Sequence, residues 1–136
     1  MASYRGGQIL SSHDEEWEYA PGGMVKCTVG ACAGLTMTWN GHCLQPTNSS
    51  DYGEGTWDGF NLNWRGRDGT LQHYIYNYSL CEYQAEGHKT WKWTRHFLAS
   101  KDDDDYWSIE GSVPKPIIMM LQILRRERLA GSGNPS

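Results

Sequence analysis

The chain has 136 residues, a formal net charge of -4 and a sequence pI near 5.7. This acidity argues against nucleic-acid binding, which needs a basic surface, and no apolar run approaches the ~20 residues of a membrane-spanning helix. The length suits one domain that buries its own core, so we expect a single domain over residues 1–130 and a disordered tail over 131–136. Residues 1–7 lack the apolar segment of a secretory signal. We therefore expect a cytoplasmic protein or the mature form of a secreted one.

The composition indicates strands and turns. The chain contains seven Trp and eight Tyr but only two Phe, and sixteen Gly and five Pro interrupt it at short intervals. The segments between these breaks are rich in Trp, Tyr, Thr, Val and Ile, which favour strands. The expected fold is all-β, an antiparallel meander that closes into a small barrel or a sandwich.

The first half of the chain predicts three short strands and one long loop. The strands cover residues 16–19, 24–29 and 34–39, with glycine-containing turns between them. Residues 45–56 show no apolar periodicity and form a candidate binding loop.

The second half predicts a three-stranded meander over residues 57–99, followed by a short strand over 106–110. Its strands cover residues 57–64, 70–83 and 90–99, where apolar and polar side chains alternate with a period of two. A glycine-containing loop joins the last two, which we expect to pair as a hairpin. The whole chain then has eight or nine strands.

Residues 116–130 fit two structures. Their continuous apolar run suits a strand buried on both faces, whereas the helix-forming residues, the proline at the start and Gly131 after the end suit a helix. The sequence alone leaves residues 117–129 open. Our prediction favours a strand through Leu124, because every preceding element is a strand.

The four cysteines, Cys27, Cys32, Cys43 and Cys81, do not have zinc-site spacing, in which ligands come in close pairs. We therefore expect no metal and no cofactor. An even number of thiols permits two disulfides in three possible pairings. Buried thiols are the alternative, and the sequence does not decide between them.

Aromatic rows on the predicted hairpin form the candidate ligand face. Three tyrosines share one face of the strand over 70–83, and two tryptophans share a face with Arg95. A guanidinium is seldom buried without a partner, so this face should reach solvent or line a polar cavity. Flat rings with a few directional hydrogen bonds suit a sugar or a small aromatic molecule. The predicted ligand-binding residues are Tyr74, Tyr76, Tyr78, Trp91, Trp93, Arg95, Trp57 and Trp64.

A short part of the chain resembles a known lectin family. Trp57, Leu62-Asn63 and Asp68-Gly-Thr-Leu71 resemble the end of a repeat in cyanovirin-type lectins. The second, symmetry-related repeat of that family is absent. No site residue is carried over from it.

Two functions fit these features, and the sequence does not fix the oligomeric state for either. The first is a small-ligand-binding domain whose partner is a small molecule or a glycan, with carbohydrate, as in a lectin, as the preferred ligand. The second is a small barrel enzyme of the isomerase or cyclase type, with a small organic substrate in an aromatic-lined cavity. In that enzyme Arg95 polarises an oxygen, and His73 or a tyrosine moves a proton. Exposed rings at a loop rim would favour the lectin, and an enclosed cavity the enzyme.

Overall fold

The computed structural model describes residues 8–47 and 53–132, and in them twelve antiparallel strands form one closed barrel with a C-terminal helix. Each strand pairs with its neighbours in the chain, and the first pairs with the last. The predicted all-β barrel is therefore confirmed. The strands are β1 (Gln8–Ser11), β2 (Glu16–Ala20), β3 (Met24–Val29), β4 (Thr36–Trp39), β5 (Cys43–Pro46), β6 (Glu54–Trp57), β7 (Asn61–Arg65), β8 (Leu71–Asn77), β9 (Glu82–Gln84), β10 (Trp91–Thr94), β11 (Phe97–Ser100) and β12 (Tyr106–Glu110).

Alternation of side chains builds the wall of the barrel. In β3, Val25 and Cys27 are fully buried, while Met24 and Lys26 face solvent. The same period of two runs through β7 and β8. Closure leaves no unpaired strand edge, so a thin wall of short strands needs no further protection.

Each of the three predicted meander strands is wrong in the same way, because each is two strands joined by a tight turn. Residues 57–64 turn at Gly59, whose φ is 107°, and residues 70–83 turn at Cys81, whose φ is 57°. Residues 90–99 turn at Arg95, whose φ is 53°. Non-glycine residues rarely adopt positive φ. Nothing in the sequence therefore marked the turns at Cys81 and Arg95. The hairpin predicted between residues 70–83 and 90–99 is formed by β9 and β10, which pair antiparallel.

Strands β1 and β5 and most of β6 escaped prediction, and the predicted long loop is shorter than expected. The strands β1 and β5 each have only four residues and lack a clear alternation. Residues 45–46 of the predicted loop belong to β5, and residues 54–56 belong to β6. Residues 48–52 lie outside the described residues.

Residues 115–132 form a helix, α1 (Lys115–Ser132), so the preference for a strand through Leu124 is wrong. The helix lies inside the barrel, because every residue from Ile117 to Leu124 is at most 4 % exposed. It touches opposite walls: Met120 packs at Gly55 of β6, and Gln122 accepts a hydrogen bond from Trp107 of β12. A helix satisfies its own backbone groups, so an apolar run can occupy the interior without strand partners.

The meander gives the barrel two ends. The proximal end, where α1 begins, carries the turns at residues 21–23, 40–42, 58–60, 78–81, 95–96 and 111–114. The distal end, where α1 leaves the barrel, carries the turns at residues 12–15, 30–35, 66–70, 85–90 and 101–105. Residues 133–136 of the predicted tail lie outside the described residues. Over the part of the chain that is described, no helix combines the length and apolarity needed to cross a membrane.

Candidate functional site

Most of the predicted ligand face is core. Trp64, Tyr74 and Trp91 are at most 2 % exposed, and Trp93 and Tyr76 are 5 % and 8 % exposed. Their rings point into the barrel, whose centre α1 fills. This burial explains the large number of aromatic residues, because a barrel around a single helix needs bulky side chains to fill the space between them.

The predicted residues separate between the two ends of the barrel. Trp64 lies towards the distal end, where its indole N–H donates to Glu127 Oε1 at 2.9 Å. Tyr74 also lies towards that end, with its ring 5.6 Å from His88. At the proximal end the structure brings together Trp57, Tyr76 and Tyr78.

Arg95 and His73 lie outside the barrel interior. Strand β10 ends at Thr94, so Arg95 belongs to the exposed turn and does not share the face of Trp91 and Trp93. His73 is on the outer face of β8, exposed, with Nε2 2.9 Å from Asn61 Oδ1. The placement of Arg95 on an aromatic face is therefore corrected by the turn at residues 95–96.

An aromatic row crosses the proximal end, and we define it as Phe60, Tyr78, Tyr76, Tyr83 and Trp57. The Phe60 and Tyr78 rings are 5.9 Å apart, Tyr78 and Tyr76 are 4.7 Å apart, and Tyr76 and Tyr83 are 4.7 Å apart. Trp57 packs against Tyr76 and Tyr83 at 6.3 and 6.1 Å. The row rises out of the core, because Tyr83 is buried whereas Phe60 and Tyr78 are both 59 % exposed.

Two turns hold the exposed rings in place. The Tyr78 hydroxyl donates to the carbonyl oxygen of Gly59, and the Tyr76 amide donates to the Phe60 carbonyl at 2.9 Å. Gly59 has a φ of 107°, a conformation that glycine adopts without steric penalty. The Tyr78 ring is thus tied to the turn that carries Phe60, although both side chains are largely exposed.

A carboxylate stands beside the exposed rings. Asp58 accepts hydrogen bonds from the Phe60 amide at 3.0 Å, the Asn61 amide at 2.8 Å and the Asn61 side chain at 3.0 Å. These bonds, first among them the one from the Asn61 side chain, lower the pKa of Asp58 to about 2. Asp58 is therefore ionised at any physiological pH.

The turn at residues 78–81 contributes Tyr78 to the row and places Leu80 and Cys81 beside it. Leu80 is 47 % exposed, and its carbonyl accepts a hydrogen bond from Lys92 Nζ at 2.8 Å. Burial raises the pKa of Tyr76 to about 12, so its hydroxyl remains a neutral hydrogen-bonding group. Cys81 is an exposed free thiol in this turn. Together these residues give an apolar surface with polar groups at its border.

The distal end carries a charged cluster that anchors the helix. Arg125 bonds both carboxylate oxygens of Asp105, at 3.3 and 3.1 Å, and Asp14 at 3.2 Å, and its Nε lies 3.8 Å from Glu15 Oε1. Every carboxylate of this cluster faces Arg125. Within residues 8–47 and 53–132, no group of three or more His, Cys, Asp or Glu side chains could hold a metal ion.

Comparisons with protein families, curated proteins and solved structures find no match. The residues that resemble a cyanovirin-type repeat lie in β6, in β7, in the turn before β8 and at the first position of β8. Phe60, Tyr83 and Asp58 were missed as site residues, although the Asp58-Gly59 pair is a recognised turn signal.

Proposed function

We propose that this protein is a carbohydrate-binding domain and that the aromatic row at the proximal end is its site. The observation that carries the proposal is the pair of exposed rings in contact, Phe60 and Tyr78, on the turn that holds the ionised Asp58. Exposed apolar patches on a folded protein commonly mark binding sites. The polar border of this patch favours a ligand that has both apolar and hydrogen-bonding surfaces.

A sugar ring has both kinds of surface. Its C–H groups pack on the electron-rich face of an aromatic ring, and its hydroxyls donate to carboxylates. Phe60 and Tyr78, whose rings meet edge to face at 89°, supply exposed aromatic surface, and Asp58 supplies an acceptor that is already ordered before binding. Preordered groups lose little conformational entropy when the ligand arrives.

The enzyme alternative has less support. It needs a cavity lined by the barrel aromatics, with Arg95 and His73 facing a substrate. Helix α1 occupies that space, and both residues lie on the outside of the barrel. The geometry therefore favours binding at the aromatic row of the proximal end.

The test compares variants of these two rings with an exposed ring on the outer face of the barrel. We expect Tyr78→Ala and Phe60→Ala each to weaken binding of the oligosaccharides retained on a glycan array by about tenfold, equivalent to about 1.4 kcal/mol. Phe97→Ala is the control, because Phe97 is 44 % exposed on the outer face of β11. Titration calorimetry measures the affinity, and thermal melts establish that the variants fold.

Two results would contradict the proposal. One is the absence of any glycan binding by the wild-type protein on the array. The other is glycan binding that Tyr78→Ala and Phe60→Ala both retain in full, whatever Phe97→Ala does.

A further inference from the structure

The exposed part of the aromatic row forms a right-angled corner. The Phe60 and Tyr78 rings meet at an interplanar angle of 89°, and the Tyr78 and Tyr76 rings meet at 88°. Two flat rings in such a contact each present one face to the corner between them. Because Phe60 and Tyr78 are both 59 % exposed, solvent reaches both rings. A small group placed in the corner can therefore contact two ring faces at once.

The faces of these rings attract cations. The negative end of the ring quadrupole lies over each face and binds an ammonium group within about 6 Å of the ring centre. In the described part of the chain, the protein's own ammonium group that lies over an aromatic ring is that of Lys115, over Trp93 on β10. Among those residues, no lysine or arginine covers Phe60 or Tyr78. Their faces are therefore open to a cation of a ligand.

A carboxylate adds a negative charge on the same turn as Phe60. Asp58 accepts three hydrogen bonds, and its Oδ1 lies 3.0 Å from the Phe60 backbone nitrogen. The Asn61 side chain, which donates to Oδ2, accepts a hydrogen bond from His73 Nε2 at 2.9 Å and so ties Asp58 to the outer wall of β8. A carboxylate has about four acceptor positions, so Asp58 can still accept from a ligand. Its charge lies within the distance of about 8 Å over which exposed charges interact with the Phe60 side chain.

Positive charges lie on the other side of the row. Lys92 and Lys101 share Glu82, with Nζ–Oε2 distances of 4.0 and 2.7 Å, so this group has one positive charge in excess. Arg95, in the exposed turn after β10, adds another. These residues lie in or next to β9, β10 and β11, whereas Asp58 lies between β6 and β7. A cationic group of a ligand is therefore directed towards Phe60 and Asp58.

We infer that the ligand is an amino sugar whose protonated amine lies in the corner between Phe60 and Tyr78, on the side of Asp58. This inference rests on the proposed function and names the class of sugar that the same rings bind. The ring faces and the carboxylate both attract the ammonium group, while the C–H groups of the sugar pack on the remaining aromatic surface. A hydroxyl or an N-acetyl group at the same carbon is neutral and lacks this attraction.

The experiment uses tetramers of chitosan, chitin and cellulose, which share one backbone and differ in one substituent of each sugar ring. That substituent is an amine in the chitosan tetramer, an N-acetyl group in the chitin tetramer and a hydroxyl in the cellulose tetramer. At about pH 6 the amine is protonated, and we expect the chitosan tetramer to bind about threefold more tightly than either neutral tetramer, the size of one exposed ion pair or cation–π contact. At about pH 9 the amine is neutral, so this affinity ratio should fall towards one.

Two aspartate variants locate the preference on the protein. Asp58→Asn removes the charge but keeps an oxygen that accepts from the Phe60 amide, so the turn should hold while the amine-to-hydroxyl affinity ratio falls towards one. Asp68→Asn is the matched control, because Asp68 is also exposed and accepts from the Thr70 amide at 2.9 Å in a turn of the distal end. Both variants lose one negative charge, but Asp68→Asn should keep the wild-type ratio. Titration calorimetry measures the affinities, and thermal melts establish that both variants fold.

The outcomes separate this inference from the proposed function. The inference is overturned if the chitosan tetramer binds no more tightly than the cellulose tetramer, if Asp58→Asn keeps the ratio, or if Asp68→Asn lowers it equally. In each of these cases the carbohydrate site itself stands as long as Tyr78→Ala weakens binding of the neutral tetramers. If none of the three tetramers binds, the inference falls, and the proposed function stands only where the array retains other glycans. If the array retains none, both proposals fall.

Discussion

At the residue scale, Gly55 shows how closely the wall fits the helix. A Cβ at this position would lie 2.7 Å from Met120 Sδ and 2.9 Å from the Trp64 ring. Both distances are shorter than real contacts allow, so an added methyl group must displace the helix side chain or the indole. Glycine is required here by a close approach, and not by backbone conformation.

We therefore expect Gly55→Ala to lower the free energy of unfolding by about 1–3 kcal/mol, the usual range for overpacking a core. Urea denaturation of wild type and variant measures the loss. In a Met120→Ala background, which vacates the space, the same change should have a smaller effect. An equal loss in both backgrounds would show that Met120 does not set the constraint.

Two other residues explain why part of the fold was not predictable. Cys81 and Arg95 have φ values of 57° and 53° in the turns after β8 and β10. Glycine or asparagine commonly marks such positions, and neither occurs there. Without that signal, β8 and β9 were predicted as one strand, and so were β10 and β11. Arg95 was therefore assigned to the face of Trp91 and Trp93, which it does not share.

At the element scale, α1 shows why an apolar run was ambiguous. Residues 117–124 are apolar apart from Gln122, so neither a helical nor an alternating period appears. The strand alternative predicted burial on both faces, and the structure buries the whole run, but as a helix. What the sequence could not provide is the space inside the barrel, because that space exists only when all twelve strands close.

The distal cluster anchors this element, and Arg125 is its centre. The Arg125 side chain is 9 % exposed, and the Glu15 side chain that faces it is 1 % exposed. We expect Arg125→Met to lower the free energy of unfolding by about 3 kcal/mol, because it leaves a buried carboxylate without its cation. The Trp17 N–H, 2.7 Å from Glu15 Oε2, should keep the loss from being larger.

Arg65→Met is the matched comparison for this loss. The Arg65 and Glu54 side chains are 61 % and 37 % exposed, so their ion pair should contribute less than about 1 kcal/mol. Chemical denaturation of the two variants measures both values. If Arg125→Met is as stable as Arg65→Met, the cluster does not anchor the helix.

At the scale of the whole molecule, barrel closure decides which aromatic residues are buried in the core and which stay exposed at the proximal end. The sequence predicted the period of two correctly in β8 and β10 and so placed Tyr74, Tyr76, Trp91 and Trp93 on common faces. It could not show that those faces turn inward towards a helix. The exposed part of the aromatic row was less predictable, because Phe60 and Tyr78 lie in turns. In a turn, side chains do not alternate between two faces.

Stability should fall on the acid side of neutral pH. Burial first, and then the charge of Arg126, lower the pKa of His88 below its usual value of 6.5. The unfolded chain therefore binds more protons below pH 6.5, and stability falls as the pH drops through this range. Below about pH 4 the fall continues, because hydrogen bonds lower the pKa of Asp58 to about 2.

Stability should also fall at alkaline pH, where the folded protein binds more protons than the unfolded chain. Burial raises the pKa of Tyr76 to about 12 and raises that of Tyr74, so above pH 10 the folded protein holds protons that the unfolded chain loses. The free energy of unfolding should therefore be highest between about pH 6.5 and pH 10. Urea denaturation across the pH range measures this profile.

His88→Gln keeps an acceptor for Arg126 and should remove the decline in stability just below pH 6.5. His96→Gln is the matched control, because His96 is exposed. A decline that survives His88→Gln unchanged would assign the acid sensitivity to another group.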